Sequence, residues 1–570
     1  MYTQRNDGGD ALMNKKIIIV LLLVILLGMG YAFYKEFYST SSEEEKTTTA
    51  KEVEYTEKDV DFSNTSETKI DLSSVNGVYN ITKTGVYHFT GTLNGYIKIN
   101  TNVNVQIILD NVVITNNSGP CIYVENVNNL YIELVGENTL TDGSNYTGFD
   151  DEVSAVIYSK DDLILYGEGV LKINANKEDG IVSKDDLVIE NGTYNINAKD
   201  DAIRGKDSVV IENGKFYIQA LGDGIKSTNE TDEDKGNILI QNGTFEIISE
   251  GDAVQAVNNL EIDAGTFNIT TGGGAKTVSS YRGMDGNSAK STSSSKGLKS
   301  DGDILIKNGT FILNCYDDSI HSNNAVEIQN GTLNISTSDD GIHGDYSVLI
   351  NGGTIDITSS YEGIEANNIT INAGNIKLIA RDDGINVSGG NDSSGFGPMG
   401  RTTNEDNGTE NKLTITGGTV YVNSIGDGLD ANGSIYITGG TVYVDGPTDN
   451  GNGPLDYDRK LEITGGTLIA AGSSGMMQNA TSANQGTVLV YFSSTQSANI
   501  KVTIGNISYT PSKNFSCILA SSSSLEVGKT YEIKLNNETY TSVTLSNTIN
   551  NVGNGNSVNG MGRGSRGGRW

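Results

Sequence analysis

From residue 180 onward the chain repeats the same short alternations of apolar and polar residues. One aliphatic position follows an acid and a small residue, at Ile181, Ile203, Ile225, Val254, Leu298, Ile320, Ile342, Ile364, Ile385 and Leu429. A pair in L-x-I form comes next, as in Leu187/Ile189, Val209/Ile211, Ile238/Ile240, Leu260/Ile262, Ile304/Ile306, Val326/Ile328 and Leu413/Ile415. A third pair follows the glycine of N-G-T or its like: Tyr194/Ile196, Phe216/Ile218, Phe245/Ile247, Phe267/Ile269, Phe311/Leu313, Leu333/Ile335, Val420/Val422 and Val442/Val444. Period-two alternation in pieces this short predicts strands with one buried face.

The small residue after the acid recurs at spacings of 22, 22, 29, 44, 22, 22, 22, 21 and 44. The period is therefore 22, lengthened by polar, turn-rich insertions at 228–236, 272–296 and 389–410, which read as surface loops. Three strands and three corners per period, with like positions always apolar, predict an all-β parallel solenoid whose coils stack about 4.8 Å apart. The recurring glycine marks a corner where positive φ is needed, so N-G-T needs no further reading as a glycosylation acceptor. Residues 97–160 continue the pattern less regularly, which sets the repeat domain at 76–484. Residues 485–548 lose the phase but keep alternating, as a small C-terminal β cap would.

Both ends differ. Residues 17–34, IIIVLLLVILLGMGYAFY, follow Lys15-Lys16 and are long enough for one transmembrane helix, with residues 1–16 kept in the cytoplasm by the lysines. No A-x-A-like site follows the run, which points to an uncleaved signal-anchor and an extracellular remainder; cleavage would make the protein secreted. Met13, opening MNKKIIIV, is an alternative start. Residues 35–75, rich in Ser, Thr, Glu and Lys, are expected as a flexible linker, and 549–570, ending GMGRGSRGGRW, as a disordered basic tail.

Net charge narrows the partners: 71 acidic residues against 39 basic ones give −32, which disfavours nucleic acid and favours cations or neutral, hydroxyl-rich ligands. Cys121, Cys315 and Cys517 fit no disulfide framework or metal-ligand spacing and are expected as buried free thiols.

The acids stack once the coil does. Asp179, Asp201, Asp223, Asp252, Asp318, Asp340, Glu362, Asp383 and Asp427 form a nearly continuous column, doubled in places by Asp317, Asp339 and Asp382. Carboxylates about 5 Å apart repel by roughly 1 kcal/mol in water and about 3 at an effective dielectric of 20. Relief can come from turn N–H groups with Lys199, Arg204, Lys206 and Lys226, or from Ca²⁺, a hard ion suited to oxygen ligands. His321 and His343 sit three residues after the acid, in a column otherwise held by Val182, Arg204, Lys226, Gln255, Lys299, Glu365, Asn386 and Asp430. So mixed a column reads as solvated repeat positions, not a catalytic set. Tyr217, Tyr421 and Tyr443 point outward on the third strand and Tyr436 on the second, where flat rings can stack on sugars, although β propensity alone also places Tyr there.

The succession ILDNVVITNNSGPCIYV, AVIYSKDDLILYGEGVLKI, DDSIHSNNAVEIQNGTLNI, GDGLDANGSIYITGGTVYV and PLDYDRKLEITGGTLIAAGSSGMMQ resembles, across about 76–548, the secreted carbohydrate-binding β-helix family of cellulolytic bacteria. That resemblance implies a right-handed parallel β-helix, calcium held by acids at the coil turns, and adhesion to cellulose or polygalacturonate. The calcium acids carried over would be Asp223, Asp317, Asp318, Asp339, Asp340, Asp382 and Asp383. Ala253, Ser319 and Lys296 depart from the family phrase. A surface adhesin for plant-type polysaccharide follows as the expected function. A Ca²⁺-dependent pectate lyase using Arg204 or another basic residue as proton acceptor is one alternative, and a structural envelope stalk another.

Overall fold

The computed structural model describes residues 49–55, 60–276, 294–388 and 411–553. The expected membrane span at 17–34, the cytoplasmic segment before it and most of the basic tail lie outside these residues. Among the described residues no helix is long and apolar enough to cross a membrane.

The fold is all-β, dominated by one long parallel sheet. Three ladders run through it, each pairing a strand with its equivalent one repeat later. In the first, Ile203 pairs with Ile225, Ile225 with Val254, Val254 with Leu298, and Leu298 with Ile320. The 29- and 44-residue steps therefore keep register, because the insertions leave the ladder between strands. Ile203, Ile225 and Ile320 share one interior row and are fully buried. The second ladder aligns Leu187, Val209, Ile238, Leu260 and Ile304.

The third ladder carries Tyr194, Phe216, Phe245, Phe267 and Phe311 inside the coil. Their rings stack nearly parallel, with successive centroids 5.1, 4.8, 4.6 and 4.7 Å apart. In-register parallel pairing forces this, since identical residues sit one strand spacing apart. Each ring lies against the glycine two residues before it. At Gly214 φ is +139°, and a Cβ there would meet the Phe216 ring at 2.9 Å.

At the C-terminal end the parallel pattern stops. Phe515–Ser522 pairs antiparallel with Thr467–Gly472 and with Gly486–Gln496. A four-stranded antiparallel sheet packs beside it, with Ile469, Val488, Phe515 and Ile533 in a second core. Ile549–Val552 pairs with Thr487–Val490, so the sheet takes the first residues of the segment expected as a free tail.

The described part of the expected linker is likewise not free. Outward residues of the second ladder are apolar in several coils, and Val53, Tyr55 and Phe62 cover Tyr131, Ile164, Val188, Val210 and Leu239. The next outward groups are acidic. The N–H groups of Val53, Lys51 and Ala50 donate to Glu261, Asp303 and Glu327 at 2.5, 2.9 and 3.2 Å. Three extended residues reach about 10 Å, or two coil steps, so this segment runs lengthwise across the coils. Glu67–Asp71 then joins Val86–Thr90 in parallel, and Leu72, fully buried, enters the core. Average composition conceals these few apolar residues.

Candidate functional site

The acid column is a hydrogen-bonded ladder. Oδ1 of Asp179 accepts the N–H of Asp201, and the same step recurs from Asp201 to Asp223 and from Asp223 to Asp252, at 3.1, 2.9 and 2.7 Å. Asp252 serves Lys296 N–H, Asp318 serves Asp340, Asp340 serves Glu362, and Asp383 serves Asp427. One oxygen of these acids thus closes a turn of the next coil, which explains the acid column without a metal. Most of these acids are buried, while Asp317, Asp339, Asp382, Asp383 and Asp427 are half-buried.

The second oxygen divides the ladder in two. In the earlier coils it meets a cation: Arg204 reaches Asp179 at 2.5 Å and Asp201 at 3.6 Å, Lys226 reaches Asp223 at 2.7 Å, and Lys299 reaches Asp252 at 3.6 Å. Lys296, an exception to the sequence pattern, binds Asp318 at 2.6 Å and Asp317 at 3.1 Å. Burial opposes ionisation of Asp318, yet Lys296 and His321 hold its carboxyl well below the usual range. Lys206 turns instead to Asp207.

In the later coils the +3 position holds Glu365, Asn386, Asp430 and Asp456, and among the described residues no cation pairs with Asp383, Asp427 or Asp430. Burial and then Asp382, Asp430 and Asp427 push Asp383 up to about 8. Burial with Asp427 and Asp456 takes Asp430 to about 7, and burial with Asp456 and Asp382 takes Asp427 to about 6. Asn386, 6% exposed, has an Oδ1 with no hydrogen-bond partner among the described residues. An all-oxygen, cation-poor stretch with an orphaned carbonyl fits a hard divalent ion; the earlier stretch, already neutralised, does not.

The histidines correct the expectation of solvated positions. His321 is 5% and His343 0% exposed, and their rings stack at 4.7 Å. Outward from the coil is not outward to water here, because the acid row and the next coil's side chains close over the rings. Burial disfavours charge on His343, but Asp340, Asp345 and Glu365 around it raise its pKa.

Four groups of acids, one including His343, bring ligand atoms within 4.8 Å of one another among the described residues: Asp340/His343/Glu365, Asp162/Asp185/Asp186, Asp179/Asp200/Asp201 and Asp317/Asp318/Asp339. Arg204 and Lys296 already serve the last two. The acid column does not include the group at Asp162, whose signal in the sequence is the phrase S-K-D-D, at 159–162 and again at 183–186.

The four tyrosines part company. Tyr217 is 40% exposed. Tyr443 stacks on Tyr509 of the cap at 5.1 Å, and Tyr421, which donates to Asp445 of the next coil at 2.8 Å, also lies 3.3 Å from the Ser512 hydroxyl of the cap, so the cap covers both. Lys460 sits over the Tyr436 ring at 4.7 Å. Around Tyr217 the outer face of the third ladder forms a shallow cleft of about 360 Å³ with Asn195, Gln219, Glu246, Ile248 and Asn268. A second cleft of about 470 Å³, lined by Asn174, Asn176, Lys199 and Leu221, continues it and shares Asn197, Gln219 and Ile248.

A relative from Acetivibrio thermocellus, a carbohydrate-binding domain-containing protein, is 34% identical over 144 residues, which are 23% of this chain and 50% of that protein. The chain thus spans about half the length of that relative. A solved structure of the polysaccharide lyase-like protein from C. thermocellum, a gadolinium derivative, aligns at 29% identity and a TM-score of 0.37, covering 42% of this chain and 96% of that one. Residues 75–341 and 340–544 both match one family, and the chain belongs to it: the carbohydrate-binding domain-containing proteins.

Proposed function

We propose that the protein is a cell-surface adhesin that holds a plant-type polysaccharide, such as polygalacturonate or cellulose, on the outer face of the third ladder. The observation that carries this is the run of two adjoining clefts, where exposed Tyr217 stands among amide side chains fixed at the strand spacing. A rigid row of amides with one flat ring suits an extended chain of hydroxyl-rich rings. In this reading the ladders form a right-handed parallel β-helix, and residues 17–34 anchor it with the repeat outside the cell.

Calcium belongs to the same proposal. Glu362, Asp382, Asp383 and Asp427, joined by Asp430, would hold it, and the ion would supply positive charge beside acids that no side-chain cation among the described residues meets and a bridge to uronate carboxylates. Arg204, the base named for a lyase, is engaged by Asp179, Asp201 and Ser154, which favours binding over cleavage. Retention of the full chain on insoluble polygalacturonate and cellulose, with and without EGTA, tests the proposal. Retention on polygalacturonate that falls with EGTA is expected. Failure on both polymers, or release of unsaturated uronate product, would overturn it.

A further inference from the structure

His321 and His343 occupy one position in consecutive coils, yet only one of them makes an ordinary ion pair. His321 Nδ1 lies 2.8 Å from Asp318 Oδ2, a carboxylate that Lys296 also binds, and its Nε2 lies 3.0 Å from Asn323. His343 Nδ1 faces two carboxylates at once, Asp340 Oδ2 at 3.4 Å and Glu365 Oε2 at 3.1 Å. Charge-assisted N–H···O bonds close to about 2.7–2.9 Å, and one N–H shared between two acceptors makes only a longer, weaker three-centre bond. Ligand atoms about 2.0–2.1 Å from a tetrahedral ion are instead spaced about 3.3 Å apart.

The far side of every ligand is already held. Asp340 Oδ1 accepts the N–H of Glu362 at 3.0 Å, and Glu365 Oε1 accepts the Ser388 hydroxyl at 2.6 Å. His343 Nε2 faces Asp345 Oδ1 at 3.1 Å, the carboxylate contact that orients a metal-bound imidazole. All three ligand residues are buried, with His343 at 0% exposure.

We propose that His343, Asp340 and Glu365 form a site for a divalent transition cation of the zinc class, joining two successive coils. An imidazole with two carboxylates selects a borderline ion, whereas Ca²⁺ prefers six to eight oxygens. The two carboxylates balance the ion's charge. This site is independent of the polysaccharide reading.

The test is calorimetric titration of chelator-stripped full chain with ZnCl₂ in excess CaCl₂, on a His88→Asn background. His88 is the one other histidine in the sequence and lies between Glu67 and Asp110. One equivalent should bind, with at least tenfold weaker affinity in His343→Asn and unchanged affinity in His321→Asn. Circular dichroism reports whether each variant folds. If His343→Asn does not, Co²⁺ loading of the background protein decides: a visible ligand-field band of tetrahedral intensity supports the site, and its absence overturns it. No Zn²⁺ uptake, or equal uptake by folded His343→Asn, would also overturn it.

Discussion

Without calcium, the later coils should lose stability as pH rises from about 4 to 8. Burial and mutual repulsion place Asp383 at about 8, Asp430 at about 7 and Asp427 at about 6. Unfolded aspartates titrate near 3.9, so within this window the folded chain binds more protons than the unfolded one, and unfolding becomes easier with increasing pH. Below about 4 both states are protonated and the contribution is intact; above 8 it has been lost. At about 1.4 kcal/mol per pH unit, Asp383 alone sets a ceiling of about 6 kcal/mol. The three groups share the same repulsions, and solvent screens half-buried carboxylates, so a net loss of about 2–3 kcal/mol is expected. Thermal melts of the full chain in EDTA at pH 5 and pH 8 measure it, with the double variant Asp383→Asn/Asp430→Asn for comparison. The variant should match the parent at pH 5 and melt higher at pH 8. Millimolar CaCl₂ at pH 8 should raise the parent and leave the variant nearly unmoved. A parent that melts higher at pH 8 than at pH 5 in EDTA, or a variant with no advantage at pH 8, would refute the reasoning.

Phe245→Ala opens a hole between the Phe216 and Phe267 rings and should cost about 3–5 kcal/mol in urea denaturation, whereas Ile248→Ala, at a position 54% exposed, should stay within about 0.5 kcal/mol. Tyr217→Ala should weaken retention on insoluble polysaccharide several-fold with no change in melting. Tyr443→Ala should do the reverse, lowering the melting of the cap, because its ring is stacked on Tyr509.

The ladders were legible because the repeat places Ile203, Ile225 and Val254 at equivalent positions despite a 29-residue step, and the insertion between them is too polar to compete for the core. What the sequence concealed depends on contacts between distant segments. Tyr421 and Tyr443 alternate outward as expected, but only the returning cap strands show that they are covered. His321 and His343 fell in a column of charged and polar residues, where position within one coil says nothing about burial by the next. Val53, Tyr55 and Phe62 are too few to shift the composition of 35–75, yet they meet five outward apolar side chains of the second ladder. The two-part character of the acid column was partly written in the residues three places on, Arg204 and Lys226 early against Asn386 and Asp430 late.

The N-terminal segment that crosses the coils has a mechanical consequence. Its attachments run backward along the stacked coils, from Glu327 at residue 50 through Asp303 to Glu261 at residue 53. A tug on the chain ahead of residue 49 would therefore load the coil of Glu327 first and peel these attachments one at a time. The first coil, where Leu72 enters the core, would feel strain only after that strap had lifted.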